Sequence, residues 1–133
     1  MNSAVRLASW ITAINVLIAS GFSIAGLIRP ESILPPGSVP TGASLIFALY
    51  AAARTVPLAV MALIAIYRRS IPMLLVLGAL AGAIQILDGI IGVCQHDWGK
   101  SVGPFAIGVF QFYALFKLRK LASTAASRPL QPN

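Results

Sequence analysis

Four long apolar segments constrain this chain more than any other feature of its sequence. They cover residues 7–28, 42–67, 71–93 and 102–118, and short polar or proline-containing stretches separate them. A bilayer core is about 30 Å thick, so an α-helix needs about 20 apolar residues to cross it. Segments of this length, joined by short connections, predict an all-α fold: an antiparallel bundle of four transmembrane helices within residues 1–121.

The composition also indicates a location in the bilayer. Hydrophobic residues make up 58% of the 133 residues and charged residues only 10%, whereas about a quarter of the residues in a soluble domain are charged. The first segment is too long to be the apolar part of a signal peptide, so we expect it to be a retained helix. Residues 122–133 are mostly small or polar and are predicted to form a disordered cytoplasmic tail.

The basic residues predict the orientation of the helices. One side of a four-helix bundle receives both termini and the connection between the second and third helices. Most of the basic residues fall on that side, and two, Arg29 and Lys100, fall on the other. By the positive-inside rule, we expect both termini in the cytoplasm and the protein in the plasma (inner) membrane. The basic residues on the side of the termini are Arg6, Arg68, Arg69, Lys117, Arg119, Lys120 and Arg128.

The net charge of +7 does not by itself indicate a nucleic-acid partner. The basic residues cluster at the ends of apolar segments rather than among exposed aromatic side chains, so they are better explained by topology. We therefore expect the lipid bilayer, and no nucleic acid, as a partner.

Two charged residues lie well inside the apolar segments. Arg54 is in the second segment and Asp88 is in the third. On insertion scales, a lone charge near the centre of a transmembrane helix costs about 2.5–3.5 kcal/mol, and such residues usually face the bundle interior and pair. We therefore predict that Arg54 and Asp88 point inward, contact each other and mark a functional site.

Three amide side chains are expected near the depth of these charges. Gln85, Gln111 and Asn15 lie in the third, fourth and first segments. With a rise of about 1.5 Å per residue, they fall between the centre of the bilayer and the side of Lys100. One interpretation is a polar pocket for a ligand. The alternative is that the amides only join the helices, each interhelical hydrogen bond contributing about 0.6 kcal/mol.

The third segment also contains a pair of glycines at GxxxG spacing, Gly78 and Gly82. Such pairs permit close approach of helices, either within a bundle or between subunits. Because four helices must pack together in this chain, we expect the pair to serve packing inside the bundle.

The remaining reactive residue types point to no standard site. A single cysteine excludes an internal disulfide and dithiol chemistry within one chain. Cys94, His96 and Asp97 match no zinc-binding spacing, so we expect a solvated loop there and no metal. The sequence names no cofactor and does not decide whether the protein is an enzyme.

Several short features together resemble the small DoxX-like four-helix membrane proteins. They are a first helix closed by Arg29 and Pro30, a proline-rich loop, Arg54 inside the second helix, a short basic turn, and a third helix that ends soon after Leu87-Asp88-Gly89. The resemblance covers about residues 7–118. Many members of that family have no assigned activity, and some relatives are quinone-linked oxidoreductase subunits. The resemblance therefore implies a lipophilic partner as one option, with Arg54 and Asp88 as the positions carried over.

These inferences together predict a membrane protein with an intramembrane polar pocket for a lipophilic molecule. In this hypothesis Arg54 binds an anionic or carbonyl oxygen, and Asp88 holds Arg54 or acts as an acid or base, while Gln85, Gln111 and Asn15 orient the ligand. Two alternatives remain open. One is a structural or accessory subunit without a ligand site, and the other is a small transporter, which would be expected to form a homo-oligomer such as a dimer.

Overall fold

The computed structural model describes residues 2–35 and 37–126, and this part of the chain is helical apart from its connections. Its long helices are α1 (Ser3–Ile28), α2 (Gly42–Tyr67), α3 (Ile71–Cys94) and α4 (Trp98–Ala126), and a 3-10 turn covers Pro30–Ser32. Each of the four is long and apolar enough to cross a membrane. The predicted all-α, four-helix fold is confirmed, and the chain is a multi-pass integral membrane protein.

Helix α4 differs most from its predicted bounds of 102–118. It was expected to be the shortest helix, but it has 29 residues and is the longest of the four. It begins at Trp98 because the Asp97 side chain accepts a hydrogen bond from the Lys100 backbone N–H at 3.1 Å, as an N-cap does. Of the loop predicted around Cys94, His96 and Asp97, residues 95–97 lie outside the helices, and the residues from Trp98 onward belong to α4.

The C-terminal end of α4 also extends beyond the prediction. Residues 119–126 are rich in alanine, leucine, lysine and arginine, which favour helix whether or not lipid surrounds them. Residues 122–126, assigned to the disordered tail, are helical. Residues 127–133, the rest of that predicted tail, lie outside the described residues. At the other end of the chain α1 begins at Ser3 rather than residue 7, since the Asn2 side chain caps it by accepting from the Ala4 N–H at 3.2 Å.

Two tight connections make neighbouring helices antiparallel. The turn from α2 to α3 places Arg69 at a positive φ of 51°, and Ser70 N–H donates to the Ala65 carbonyl at 3.0 Å. The turn from α3 to α4 repeats the pattern, with His96 at φ 56° and Asp97 N–H bonded to the Gly92 carbonyl. These bonds form Schellman motifs, which satisfy carbonyls that a helix end leaves free.

The antiparallel arrangement gives the bundle two distinct ends. We call the end where α1 begins, α4 ends and α2 turns into α3 the termini end. The opposite end, which holds residues 29–35, 37–41 and 95–97, is the loop end.

Glycines bring α3 and α4 into close contact. A Cβ atom added at Gly92 would lie 2.6 Å from the backbone carbon and oxygen of Lys100, so only glycine allows this approach. Closer to the termini end, Cβ atoms at Gly78 and Gly82 would lie 2.8 Å and 3.1 Å from the Gln111 side chain. The prediction that this GxxxG pair packs inside the bundle is confirmed.

Helix α2 uses small residues to pack in the bundle. Its buried positions are all alanines. Toward the termini end, Ala59 and Ala62 share a core cluster with Val16 of α1 and Ala81 of α3. Toward the loop end, α2 and α3 line a shared cavity instead, so this half of the bundle holds an open groove. The buried alanines are Ala48, Ala52, Ala59, Ala62 and Ala65.

The close approach at Gly92 generates a prediction for stability. Gly92→Ala should lower the free energy of unfolding by about 1–3 kcal/mol, because the methyl group can be accommodated only if the α4 backbone moves. Gly103→Ala is the matched control, since a Cβ there meets no atom within 4 Å. Reversible unfolding in mixed micelles measures both variants. Equal stabilities for the two would contradict the close packing at Gly92.

Candidate functional site

A chain of buried hydrogen bonds joins three of the four helices. Gln85 Nε2 on α3 donates to Asn15 Oδ1 on α1 at 2.7 Å. Asn15 Nδ2 donates to Gln111 Oε1 on α4 at 3.3 Å, and Gln111 Nε2 donates to Thr12 Oγ1 on α1 at 2.8 Å. All four residues are buried, none more than 3% exposed. We call these four residues the amide network.

The amide network satisfies its own members. Within the described residues, every buried side-chain nitrogen or oxygen has a hydrogen-bond partner. An unpartnered amide in an apolar interior is costly, so the network favours one rotational setting of α1, α3 and α4 about their axes. Of the three amides predicted to orient a ligand, Gln85 lines the groove. Asn15 and Gln111 are instead engaged with each other in the core.

Thr12 is a member of the network that the sequence prediction missed. It precedes Asn15 by three residues, so the two side chains share one face of α1. The three-residue spacing between Thr12 and Asn15 was therefore the sequence signal from which this member of the network could have been predicted.

A second set of hydrogen bonds connects α1 with α2. The hydroxyls of Thr55 and Ser23 are hydrogen-bonded at 2.9 Å, and the Ser20 hydroxyl donates to the Thr55 carbonyl at 3.3 Å. Thr55 Oγ1 also lies 3.0 Å from the carbonyl oxygen of Ala51, one turn earlier. Thr55 therefore fixes the face that α2 turns toward α1.

The groove between α2 and α3 is the candidate binding site. Its volume is about 440 Å³, within the range of roughly 300–1,000 Å³ that is usual for small-molecule sites. Helices α1, α3 and α4 contribute five lining residues each and α2 contributes three, while Ile33 and Gln95 complete the lining at the loop end. Most of the lining is apolar or glycine. The polar side chains on it belong to Ser23, Thr55, Gln85, Asp88, Gln95 and Lys100.

Lys100 joins the α1–α2 loop to the start of α4 at the loop end. Its Nζ donates to the carbonyls of Ile33 at 3.5 Å and Leu34 at 3.4 Å, and it pairs with Asp97 Oδ2 at 3.4 Å. The hydrogen bond from the Lys100 backbone N–H lowers the pKa of the Asp97 carboxyl below its usual range, and the Lys100 ammonium group lowers it further to a smaller degree. Lys100 was predicted only as a topology signal, although an acid three residues earlier indicates a capped helix start.

The predicted contact between Arg54 and Asp88 is wrong for a single chain. Asp88 lines the groove, but Arg54 is exposed on α2 and does not line it. Among the described residues Lys100 pairs with Asp97, and neither Arg54 nor Asp88 forms an ion pair. Successive helical residues are about 100° apart, so Thr55, by facing α1, turns Arg54 toward the surface. The prediction considered the depth of Arg54 and not its angle around α2.

No protein-family model, curated protein or solved structure matches this chain. The residues described here also bring together no three His, Cys, Asp or Glu side chains that could hold a metal ion. The features of the molecule that bear on its function are therefore the groove and the charges near it.

The amide network predicts a non-additive response to substitution. Asn15→Leu removes the partners of Gln85 Nε2 and Gln111 Oε1, and buried orphaned polar groups cost about 1–3 kcal/mol. The triple variant Asn15→Leu/Gln85→Met/Gln111→Met leaves only Thr12, whose hydroxyl can donate to the carbonyl one turn earlier. Unfolding measurements should therefore find the triple variant no less stable than Asn15→Leu. If the triple variant instead lost the sum of the unfolding free energies lost by the three single variants, the network would be contradicted.

Proposed function

We propose that the groove between α2 and α3 binds a lipophilic molecule whose polar head lies beside Asp88. The observation that carries the proposal is an apolar groove of about 440 Å³ that contains a carboxylate within a membrane-spanning helix. No described residue forms a hydrogen bond or an ion pair with that carboxylate. Intramembrane acids are rare and usually functional, because an unused one is expensive to place there.

The lining of the groove supports a ligand that is apolar over most of its length. Ile18, Phe22, Ile84, Ile91 and Ile107 supply hydrocarbon surface, which suits an alkyl chain or a ring system. A hydroxyl or amine on the ligand could donate to Asp88, and Gln85 lies on the same α3 wall. Acid–base chemistry on the bound molecule is a further option for Asp88.

Arg54 has no place in this binding site within a single chain. It was predicted to bind an anionic or carbonyl oxygen of the ligand, but it lies outside the groove. The groove lined by one chain therefore favours a head group that donates hydrogen bonds over an anionic one.

The proposed orientation places both termini in the cytoplasm of a plasma (inner) membrane protein. The excess of Lys and Arg at the termini end supports it. The groove then opens in the outer half of the bilayer. A reporter fused to the C-terminus tests the orientation and is expected to be active in the cytoplasm.

Membership of the DoxX-like family is part of the same proposal and rests on the sequence resemblance alone.

A structural or accessory subunit is the second candidate function. The observation that favours it is the self-satisfied amide network, in which Asn15 and Gln111 contribute to packing and not to the groove. In that case the groove would be filled by ordinary lipid chains, and no specific molecule would remain bound.

Filling the groove distinguishes the two functions. Gly103 lines the groove and a Cβ there meets no atom within 4 Å, so Gly103→Trp should occupy ligand space without disturbing the helices. Gly21→Trp is the matched control, because Gly21 is equally open but does not line the groove. Each protein is purified with native lipid and its bound small molecules are identified by mass spectrometry.

We expect one molecule to be enriched on the wild type and on Gly21→Trp, and to be about tenfold or more depleted on Gly103→Trp. The reason is that a bulky side chain and the ligand cannot share the same volume. A wild type that carries only bulk lipid would contradict the ligand proposal and favour the structural subunit.

A further inference from the structure

Two charges, Arg54 and Asp88, lie well inside membrane-spanning helices and have no partner among the described residues of one chain. Neither Arg54 nor Asp88 forms a hydrogen bond or an ion pair with any described residue. Arg54 lies about 18 Å along α2 from Gly42 and about 20 Å from Tyr67 at a rise of about 1.5 Å per residue, which is the middle of the helix. A charge near the middle of a transmembrane helix is costly, so a partner inside the membrane is favoured for Arg54.

The two side chains lean toward a common depth. Asp88 lies about 9 Å from the Cys94 end of α3, so it is about 9 Å nearer to the loop end than Arg54 is. Helical side chains tilt toward the N-terminus of their own helix. Because α2 begins at the loop end and α3 begins at the termini end, Arg54 tilts toward the level of Asp88 and Asp88 tilts toward the level of Arg54. Their depths therefore favour a contact between Arg54 and Asp88, but the orientation of α2 about its own axis prevents that contact within one chain.

Arg54 and the groove lie on the same flank of the molecule. Ala51 lines the groove, and Arg54, three residues later, lies about 60° further around α2. It is therefore placed beside the rim of the groove. A single neighbour packed against this flank could receive Arg54 and also reach into the groove toward Asp88.

We propose that a second copy of this chain is that neighbour, with Arg54 of each copy paired with Asp88 in the groove of the other. A two-fold axis along the membrane normal keeps equivalent residues at equal depth and forms the pair twice, as an isologous interface requires. Well inside the described membrane-spanning helices, each chain has one base and one acid without a partner, and two copies can supply these partners to each other. The carboxylate has two oxygens, so Asp88 can accept from the guanidinium and still accept from a ligand donor.

Exchange of the two charges between copies tests the proposal. Arg54→Asp gives a chain with two acids at this interface, and Asp88→Arg gives a chain with two bases. Each variant alone should be monomeric, because its copies can present only like charges to each other. Mixed together, the two variants should form heterodimers, since both contacts then join an acid to a base. The measurement is two-colour single-molecule counting of labelled subunits in lipid bilayers, with the wild type expected to be dimeric.

The outcomes are decisive in both directions. Heterodimers from the mixture, with monomers from each variant alone, support the pair between copies. A monomeric wild type, dimers from either variant alone, or a mixture that stays monomeric would overturn it. A pair within one chain would not be rescued by mixing, so this design separates the two arrangements.

Neutral variants keep the test valid if a charge-reversed chain fails to fold, which circular dichroism would show. Arg54→Gln and Asp88→Asn should each weaken dimer formation by about tenfold or more, since each substitution breaks both pairs and leaves the two opposite charges of the dimer unpaired. Arg68→Gln is the control, because it removes the same charge at the end of α2, and it should leave association unchanged. Unaltered association of Arg54→Gln and Asp88→Asn would again overturn the proposal.

The dimer does not depend on the ligand proposal, and the two fail separately. A dimeric wild type without a specific bound molecule would contradict ligand binding alone. A monomeric wild type that retains one would contradict the dimer alone.

Discussion

The arrangement of the helices depends on one physical constraint, which is that polar side chains buried in an apolar interior must have hydrogen-bond partners. Gln85, Asn15, Gln111 and Thr12 meet this constraint as a chain of three hydrogen bonds. These hydrogen bonds link α1, α3 and α4 at a shared depth. If any one of these helices rotated about its axis, a buried polar group would lose its hydrogen-bond partner in a place that water does not reach. Helix α2 is not part of this network. It is held by packed alanines and by Thr55, which interacts with α1.

This division explains where the groove lies and why the two charges are separated. The glycine face of α3 packs closely on α4, whereas α2 is bonded to α1, so no comparable contact closes α2 on α3 near the loop end. The groove occupies the resulting space, and Lys100 connects the loop to α4 beside it. Asp88 faces this space from α3. Because α2 is rotated so that Thr55 faces α1, the neighbouring Arg54 points outward. A bound ligand would give Asp88 a hydrogen-bond partner, and association of two copies would give partners to both Arg54 and Asp88.

Much of the fold could be predicted from the sequence, because long apolar segments have few alternatives in lipid. The common depth of Asn15, Gln85 and Gln111 was also predictable from the rise of a helix, but their choice of one another over a ligand was not. The outward position of Arg54 was in principle accessible, since Ala48, Ala52, Ala59 and Ala62 define a buried stripe that leaves it out. The start of α4 was missed because hydropathy does not register a capping residue such as Asp97, and its end because helix propensity continues after the apolar segment stops.

Solid-state NMR of the isotope-labelled protein in lipid bilayers tests the central claim most directly. The claim is that the three amides satisfy one another in the core and that the space for a ligand lies beside them in the groove. A nitrogen–carbon correlation between Gln85 Nε2 and the side-chain carbonyl carbon of Asn15 is predicted, because the two groups share a 2.7 Å hydrogen bond. A matching correlation should join Asn15 Nδ2 to the side-chain carbonyl carbon of Gln111. Absence of both correlations, with the amide nitrogens instead in contact with lipid or with a bound molecule, would contradict the account.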